Sequence, residues 1–237
     1  MNCLLLFPSD FIPGQNNTAR ISGRRKEHLQ SVFNAQTGRE IKVGIVNGKM
    51  GTGIVVGQSE NEILLDITVF TNPPAPAPLT LILALPRPKS LKKSIEVATS
   101  LGIKKIYIIE SWRVEKSYWT SPVLSSEKLI EHILLGLEQA RDTVIPQIEI
   151  RKRFKPFVED EIPEIIQGTE AIVAHPYAKQ PCPYRINTSC TLAIGPEGGF
   201  IPYEIEMFEK CGFKSYTFGD RILRVEYAIP ALAGRIL

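Results

Sequence analysis

The sequence has 237 residues, 43% of them hydrophobic and 22% charged, with a formal net charge of +3. That length carries one large or two modest domains with their own cores, and the composition is that of a soluble globular chain. The charge is too small to declare a nucleic-acid partner, and no apolar run approaches the ~20 residues of a membrane span.

The opening stretch MNCLLLFPSD has a short apolar patch and no basic leader, and is not read as a signal peptide. The four cysteines, Cys3, Cys182, Cys190 and Cys211, form no CxxC pair and no zinc spacing with His28, His132 or His175. Reduced thiols of a soluble, cytoplasmic protein are expected, with no metal and no membrane contact. Positive charge gathers in RISGRRK (residues 20 to 26), in six Lys/Arg against the single acid Glu96 between Arg87 and Lys105, and in RKRFK (151 to 155). Each cluster alone suits a solvated face, whereas three together also suit an anionic partner.

From Arg39 the run REIKVGIVNGKMGTGIVVGQSENEILLDI alternates apolar and polar residues, broken at Asn47-Gly48 and near Ser59. This predicts consecutive antiparallel strands in a small β-barrel or sandwich over 1–72. TNPPAPAPLT follows, with four prolines in six positions, which stops helix and central strand alike and marks a domain boundary. Over 73–237 the pattern changes. LTLILAL predicts a buried strand, KSLKKSIEVATSLG a helix with Leu91, Ile95, Ala98 and Leu101 on one face, and KKIYIIE another strand. SSEKLIEHILLGLEQAR is the strongest helix, with a stripe of Leu129, Ile130, Ile133, Leu134 and Leu137 and Ser126 as its N-cap. QIEI, EAIVAH, TLAIG and SYTFG supply further strands, with a helix from Pro202 to about Gly212 before the last. Alternating strands and helices predict an α/β domain with a mostly parallel sheet covered on both faces.

LAIGPEGGF leaves a strand through Gly195, Pro196, Glu197, Gly198 and Gly199. The phosphate-loop lysine and hydroxyl are missing, as is a GxGxxG dinucleotide fingerprint. A plain turn is one reading; close approach of backbone amides to a ligand at the carboxyl edge of the sheet is the other. FGDRILRVEYA supplies a second strand-exit glycine followed by Arg221, Arg224 and Glu226, either lining a site for an anionic substrate or forming a surface pair at a helix start.

LAIGPEGGF followed by FGDRILRVEYA resembles the RsmE-type branch of the SPOUT methyltransferases, which methylate N3 of a uridine in small-subunit ribosomal RNA. EQARDTVIP and ATSLGIKKIYIIESWR resemble further segments of that family, and QSVFNAQTGREIKVGIVNGKMGTGIV resembles its N-terminal PUA-like barrel. The resemblance implies a C-terminal α/β domain tied in a deep trefoil knot, an RNA-binding barrel before it, and a homodimer acting on ribosomal RNA. It implies S-adenosylmethionine as methyl donor, held by His175, by Ile194 and Gly195 to Gly199, and by Phe218, Gly219, Ile222 and Leu223. RNA contacts are expected at Arg20, Arg24, Arg25, Lys26, Arg113 and Arg141.

Arg221 or Arg224 is expected to favour the uridinate or to hold a neighbouring phosphate, with Glu226 orienting the arginine. No general base is evident in either motif; His175 is a candidate beside the reading of a structural histidine. The chain departs from the family at Tyr227, where threonine is usual, at Val97 and Ser100 in the first helix, and at Asn34. Pro230 lies early in the last helix, which tolerates it without loss only within the first turn. A related methyltransferase with another RNA target, and a non-catalytic RNA-binding protein of the same fold, stay open beside uridine-N3 methylation.

Overall fold

A computed structural model describes residues 2–15 and 17–237. Two units emerge, Met1–Ala75 with Leu137–Ile145, and Pro76–Gly136 with Pro146–Leu237.

The first unit contains β1 (Leu4–Leu6), β2 (Thr18–Ser22), α1 (Gly23–Phe33), β3 (Glu40–Ile45), β4 (Met50–Gln58) and β5 (Glu62–Thr71) in a sheet of order β1-β3-β4-β5-β2. The pairings are antiparallel except β1 with β3. Alternation places Ala19, Ile21, Val43, Val55, Ile63 and Leu65 inside, where period-two burial fixes register. Asn47, at φ 56°, takes the left-handed position in the β3–β4 turn, which the Gly48 N–H closes by donating to the Ile45 carbonyl at 2.7 Å. The segment after α3 is stitched to that turn. Asn47 N–H donates to the Thr143 carbonyl at 2.8 Å, Thr143 Oγ1 donates to the Gly48 carbonyl at 2.6 Å, and Ile145 N–H donates to Asn47 Oδ1 at 2.9 Å. Helix α1 has no counterpart in the sequence reading, which took 20–26 only as a basic face. It ends at Asn34 with φ 46°, a left-handed conformation that asparagine tolerates.

The second unit carries β6 (Leu79–Ala84), α2 (Pro88–Ser100), β7 (Lys105–Ile109), α3 (Ser126–Ala140, continuing into the first unit), β8 (Gln147–Arg151), α4 (Phe154–Pro156) and α5 (Ile162–Ile165). Then follow β9 (Glu170–Ala174), β10 (Gln180–Pro181), β11 (Cys190–Ile194), α6 (Pro202–Lys210), β12 (Lys214–Thr217) and α7 (Val225–Ile236). Its seven strands run in the order β10-β12-β9-β11-β6-β7-β8, and every pairing is parallel. Strand β11 is buried along its whole length, as a parallel sheet covered on both faces demands. The carboxyl ends of β6, β7, β9, β11 and β12 therefore share one edge.

Two local expectations need correction. Ser125, not Ser126, caps α3: its Oγ accepts the Lys128 N–H at 3.3 Å, the reach of an N-cap to N3. Pro230 lies inside α7, beyond the first turn, so the Glu226 carbonyl lacks its i+4 donor. The end of α7 is clasped by the loop before β11. Arg185 and Ile186 N–H groups donate to the Arg235 and Ile236 carbonyls at 2.9 and 2.7 Å, and Arg235 Nε donates to the Cys182 carbonyl at 2.6 Å.

All four cysteines are free. Among the described residues no helix is long and apolar enough to cross a membrane, and no group of three or more His, Cys, Asp and Glu could hold a metal.

Candidate functional site

Parallel strands place their exits together, and here three exits surround one cleft. Residues 174–177 at the exit of β9, 194–200 at the exit of β11, and 216–219, 221–223 and 225 at the exit of β12 line it, with Arg113 from the loop after β7 and Ala228 and Leu232 of α7. Its empty volume is about 870 Å³, open solvent at the mouth included, within the range of small-molecule sites.

The glycine loop is built by crowding. A Cβ on Gly195 would lie 2.9 Å from Phe200 N and 3.1 Å from Gly199 Cα, so the chain must double back there without a side chain. Gly199 takes φ +69° and donates its N–H to the Pro196 carbonyl at 2.8 Å, closing the turn. Phe200 anchors the far end, 5.2 Å between ring centroids from Phe208 on α6. The tight turn is thus present, and its backbone lines the cleft.

Glu197 lines the cleft, but its carboxylate accepts the Arg87 N–H at 3.1 and 3.3 Å, ahead of Pro88, the first residue of α2. That is the favourable place for an acid, at a helix amino terminus. Arg113 is exposed, and its guanidinium donates to the Gly198 carbonyl. Beside it, the buried Glu204 accepts two backbone N–H groups, Trp112 on Oε1 at 2.7 Å and Ile201 on Oε2 at 2.9 Å. Burial pushes the Glu204 carboxyl above the usual carboxylate range, against the pull of those N–H groups and Arg113.

His175 donates its backbone N–H to the Tyr216 carbonyl at 2.9 Å and packs edge-on to Tyr177 at 5.7 Å. Burial pushes its imidazole below the ordinary value, with Glu209 opposing. Thr217 ties the two flanking loops: its hydroxyl lies 3.2 Å from the Pro176 carbonyl and accepts the Gly219 N–H at 3.2 Å.

The structure separates the three residues assigned to catalysis. Arg221 lines the cleft with Ile222 and Leu223, whereas Arg224 is exposed outside that lining, as the residue before α7. Glu226 is 6% exposed on α7, and its buried Oε2 has no hydrogen-bond partner. It makes no bond to either arginine, because its place in the first turn turns it inward with Val225 and Ile229.

The six candidate RNA contacts also part company. Arg25 is consumed inside the first unit: it forks onto Asp10 at 2.6 and 2.7 Å, donates to the Leu5 carbonyl and lies over the Phe7 ring. Lys26 donates to the Glu60 carbonyl at 2.6 Å, and Arg20 pairs with Glu62 at 3.1 Å. Arg24 and Arg141 are exposed. Arg113 belongs to the cleft. The sequence reading did not single out Pro176, Tyr177, Tyr216, Thr217, Phe200, Ala228 or Leu232 as cleft residues. Adjacency to the two glycine motifs was the available signal for most of them, and Ala228 closes the second motif; Leu232 had none.

Residues 73–237 match the RNA methyltransferase domain family. The chain belongs to that family. It is 28% identical over 233 residues to ribosomal RNA small subunit methyltransferase E of Treponema pallidum, across 89% of this chain and 81% of that one. It is 23% identical to the corresponding methyltransferase E 1 of Borreliella burgdorferi, across 98% and 95%. Among solved structures, methyltransferase E of Neisseria gonorrhoeae bound to S-adenosyl methionine shares the fold at TM-score 0.70 and 20% identity, over 98% of this chain and 94% of that one. A putative methyltransferase of Legionella pneumophila with bound SAM also gives TM-score 0.70, at 21% identity over 98% and 95%.

Proposed function

We propose that this chain uses S-adenosylmethionine to methylate N3 of a uridine in small-subunit ribosomal RNA. The observation that carries the reading is the convergence of the three strand exits on one cleft. The residues there fit the donor. Ile194, Phe218, Ile222 and Leu223 offer apolar walls for a purine, and the crowded Gly195 turn presents backbone groups where no side chain intervenes. When bound, the donor supplies an electrophilic methyl group on a sulfonium.

The chain's own residues orient and polarise. Arg221 places a permanent positive charge at the cleft, where it favours loss of the N3 proton by stabilising charge on the uracil oxygens. Arg224, exposed and three residues away, is positioned for a flanking phosphate. His175 enters the cleft neutral near pH 7, so it adds no charge beside a cationic donor. Arg24 and Arg141 are exposed cations of the first unit, available to RNA.

The same reading includes a trefoil knot in the second unit, a PUA-like first unit, a homodimer and a cytoplasmic setting. Insertion of β11 between β9 and β6, with the loop before it clasping α7, supports the knot. Exposed Tyr203 and Tyr227 support a second copy covering apolar surface of the domain.

The test is transfer of labelled methyl to small ribosomal subunits from cells lacking this modification, with identification of the labelled nucleoside. 3-Methyluridine is expected. Label in another nucleoside moves the target, and no label despite donor binding removes the activity.

A further inference from the structure

The loop after β7 contains both tryptophans of the chain, Trp112 and Trp119. Trp112 is 79% exposed, an unusual place for a side chain that ordinarily buries most of its surface. Its backbone is nevertheless fixed. The Trp112 N–H is held by the buried Glu204, and the next residue, Arg113, donates into the glycine loop at Gly198. An indole on a pinned backbone beside a cleft loses little conformational freedom when something stacks on it.

Two cations, Arg87 and Lys152, lie against aromatic side chains of this loop, with the carboxylates Glu110, Glu115 and Glu197 nearby. The exposed Arg87 holds its guanidinium beside the Tyr118 hydroxyl, with Glu115 offsetting part of that charge, and its own N–H is tied to Glu197 of the glycine loop. Lys152, at the end of β8, lies over the Trp119 ring at 5.8 Å. Tryptophan and tyrosine faces interleaved with arginine and lysine at one sheet edge are the equipment of a single-strand nucleic-acid site, where bases stack and cations take phosphates.

We propose that this loop is a stacking platform for an unpaired RNA base flanking the methylated nucleotide, with Trp112 as the stacking face and Arg87 as a phosphate partner. This rests on the RNA methylation proposed above. The occupant is single-stranded because an indole stacks on a base only where the base's face is free. A target modified at N3, moreover, must already be out of its pair.

The test compares wild type, Trp112→Ala and Trp112→Phe in methyl transfer to small ribosomal subunits lacking the modification, with donor affinity measured separately by calorimetry. Trp112→Ala is expected to raise KM for the RNA substrate about tenfold or more, the scale of one lost base stack, with kcat and donor affinity close to wild type. Trp112→Phe, which keeps an aromatic face, is expected to recover most of the loss. A wild-type KM in Trp112→Ala, or a KM no better in Trp112→Phe than in the alanine variant, overturns the platform. So does a matching loss of donor affinity, which would make the loop a structural support only. If wild type itself transfers no methyl, the proposed function falls first and the platform with it.

Discussion

Glu204 holds the Trp112 backbone N–H at 2.7 Å across 92 residues, while its other oxygen takes the Ile201 N–H at its own helix start. One buried carboxylate thus joins the loop after β7 to the helix that follows the glycine loop. Glu204→Ala leaves two N–H groups without an acceptor, at about 1–3 kcal/mol each where they stay buried. Glu204→Gln keeps one acceptor oxygen and turns an amide toward the other donor. The expected order of thermal stability is wild type, then Gln, then Ala, with donor affinity falling in the same order. Equal melting temperatures for all three would remove Glu204 from this role.

Gly195 and Gly198 separate backbone crowding from side-chain crowding. A Cβ at Gly195 meets the Phe200 nitrogen and the Gly199 backbone, which cannot move without opening the turn. A Cβ at Gly198 meets Arg113 Cδ at 2.9 Å, an atom of a long side chain that can swing aside. Gly195→Ala is expected to weaken donor binding tenfold or more, about 1.4 kcal/mol, and Gly198→Ala clearly less. Calorimetric titration of both variants checks it, and the reverse order would refute the assignment.

Arg221 and Arg224 flank Ile222 and Leu223, yet only Arg221 lines the cleft. Arg221→Ala is expected to lower kcat about a hundredfold, the scale of one lost charge-stabilising donor, with donor affinity nearly unchanged. Arg224→Ala is expected to act on KM for RNA and to lessen its salt dependence, as a phosphate contact does. Steady-state kinetics at two salt concentrations distinguishes them; a full kcat in Arg221→Ala would take that arginine out of the chemistry.

How far the sequence carried depends on what each feature leaves in it. The strands of the second unit were legible because apolar runs such as LTLILAL and TLAIG are what a doubly covered sheet requires. Their order was not, since nothing local says that β11 inserts between β9 and β6. Helix α1 escaped because the apolar residues of GRRKEHLQSVF, Leu29, Val32 and Phe33, come only at its carboxyl end after a charged start; Leu29 is fully buried. The glycine loops were legible through residue type. The tasks of Glu204 and Glu197 were not, because both accept from backbone N–H groups brought in by folding from 92 and 110 residues away. A basic cluster reads as a surface until a partner is seen. Asp10, 8% exposed, is what turns Arg25 from a surface cation into an internal strut.

That strut gives a prediction opposite in kind for neighbouring arginines. Arg25→Ala strands the Asp10 carboxylate, so a loss of stability on the order of 3 kcal/mol is expected for the first unit. Arg24→Ala removes an exposed charge and is expected to leave stability within about 0.5 kcal/mol while weakening RNA binding. Chemical denaturation together with RNA binding reads both, and equal stability of the two variants would mean that the Arg25–Asp10 fork carries nothing.

His175 sets the acid limit. Burial lowers its folded pKa below the ordinary 6.5 of the unfolded chain, so the folded imidazole is neutral where the unfolded one begins to protonate. Between the two values the unfolded state binds more protons, and stability therefore falls as pH drops through that window. The slope from this one group is at most about 1.4 kcal/mol per pH unit. Above 6.5 the contribution is fully present. In the cleft, protonation sets a second cation beside a sulfonium donor, so donor affinity is expected to hold above that value and to decline as pH falls through the folded pKa. His175→Gln, which cannot titrate, is expected to flatten both the binding profile and its share of the stability profile. Calorimetry from pH 5 to 8 on wild type and variant decides: superimposable profiles would mean that His175 does not titrate against the donor.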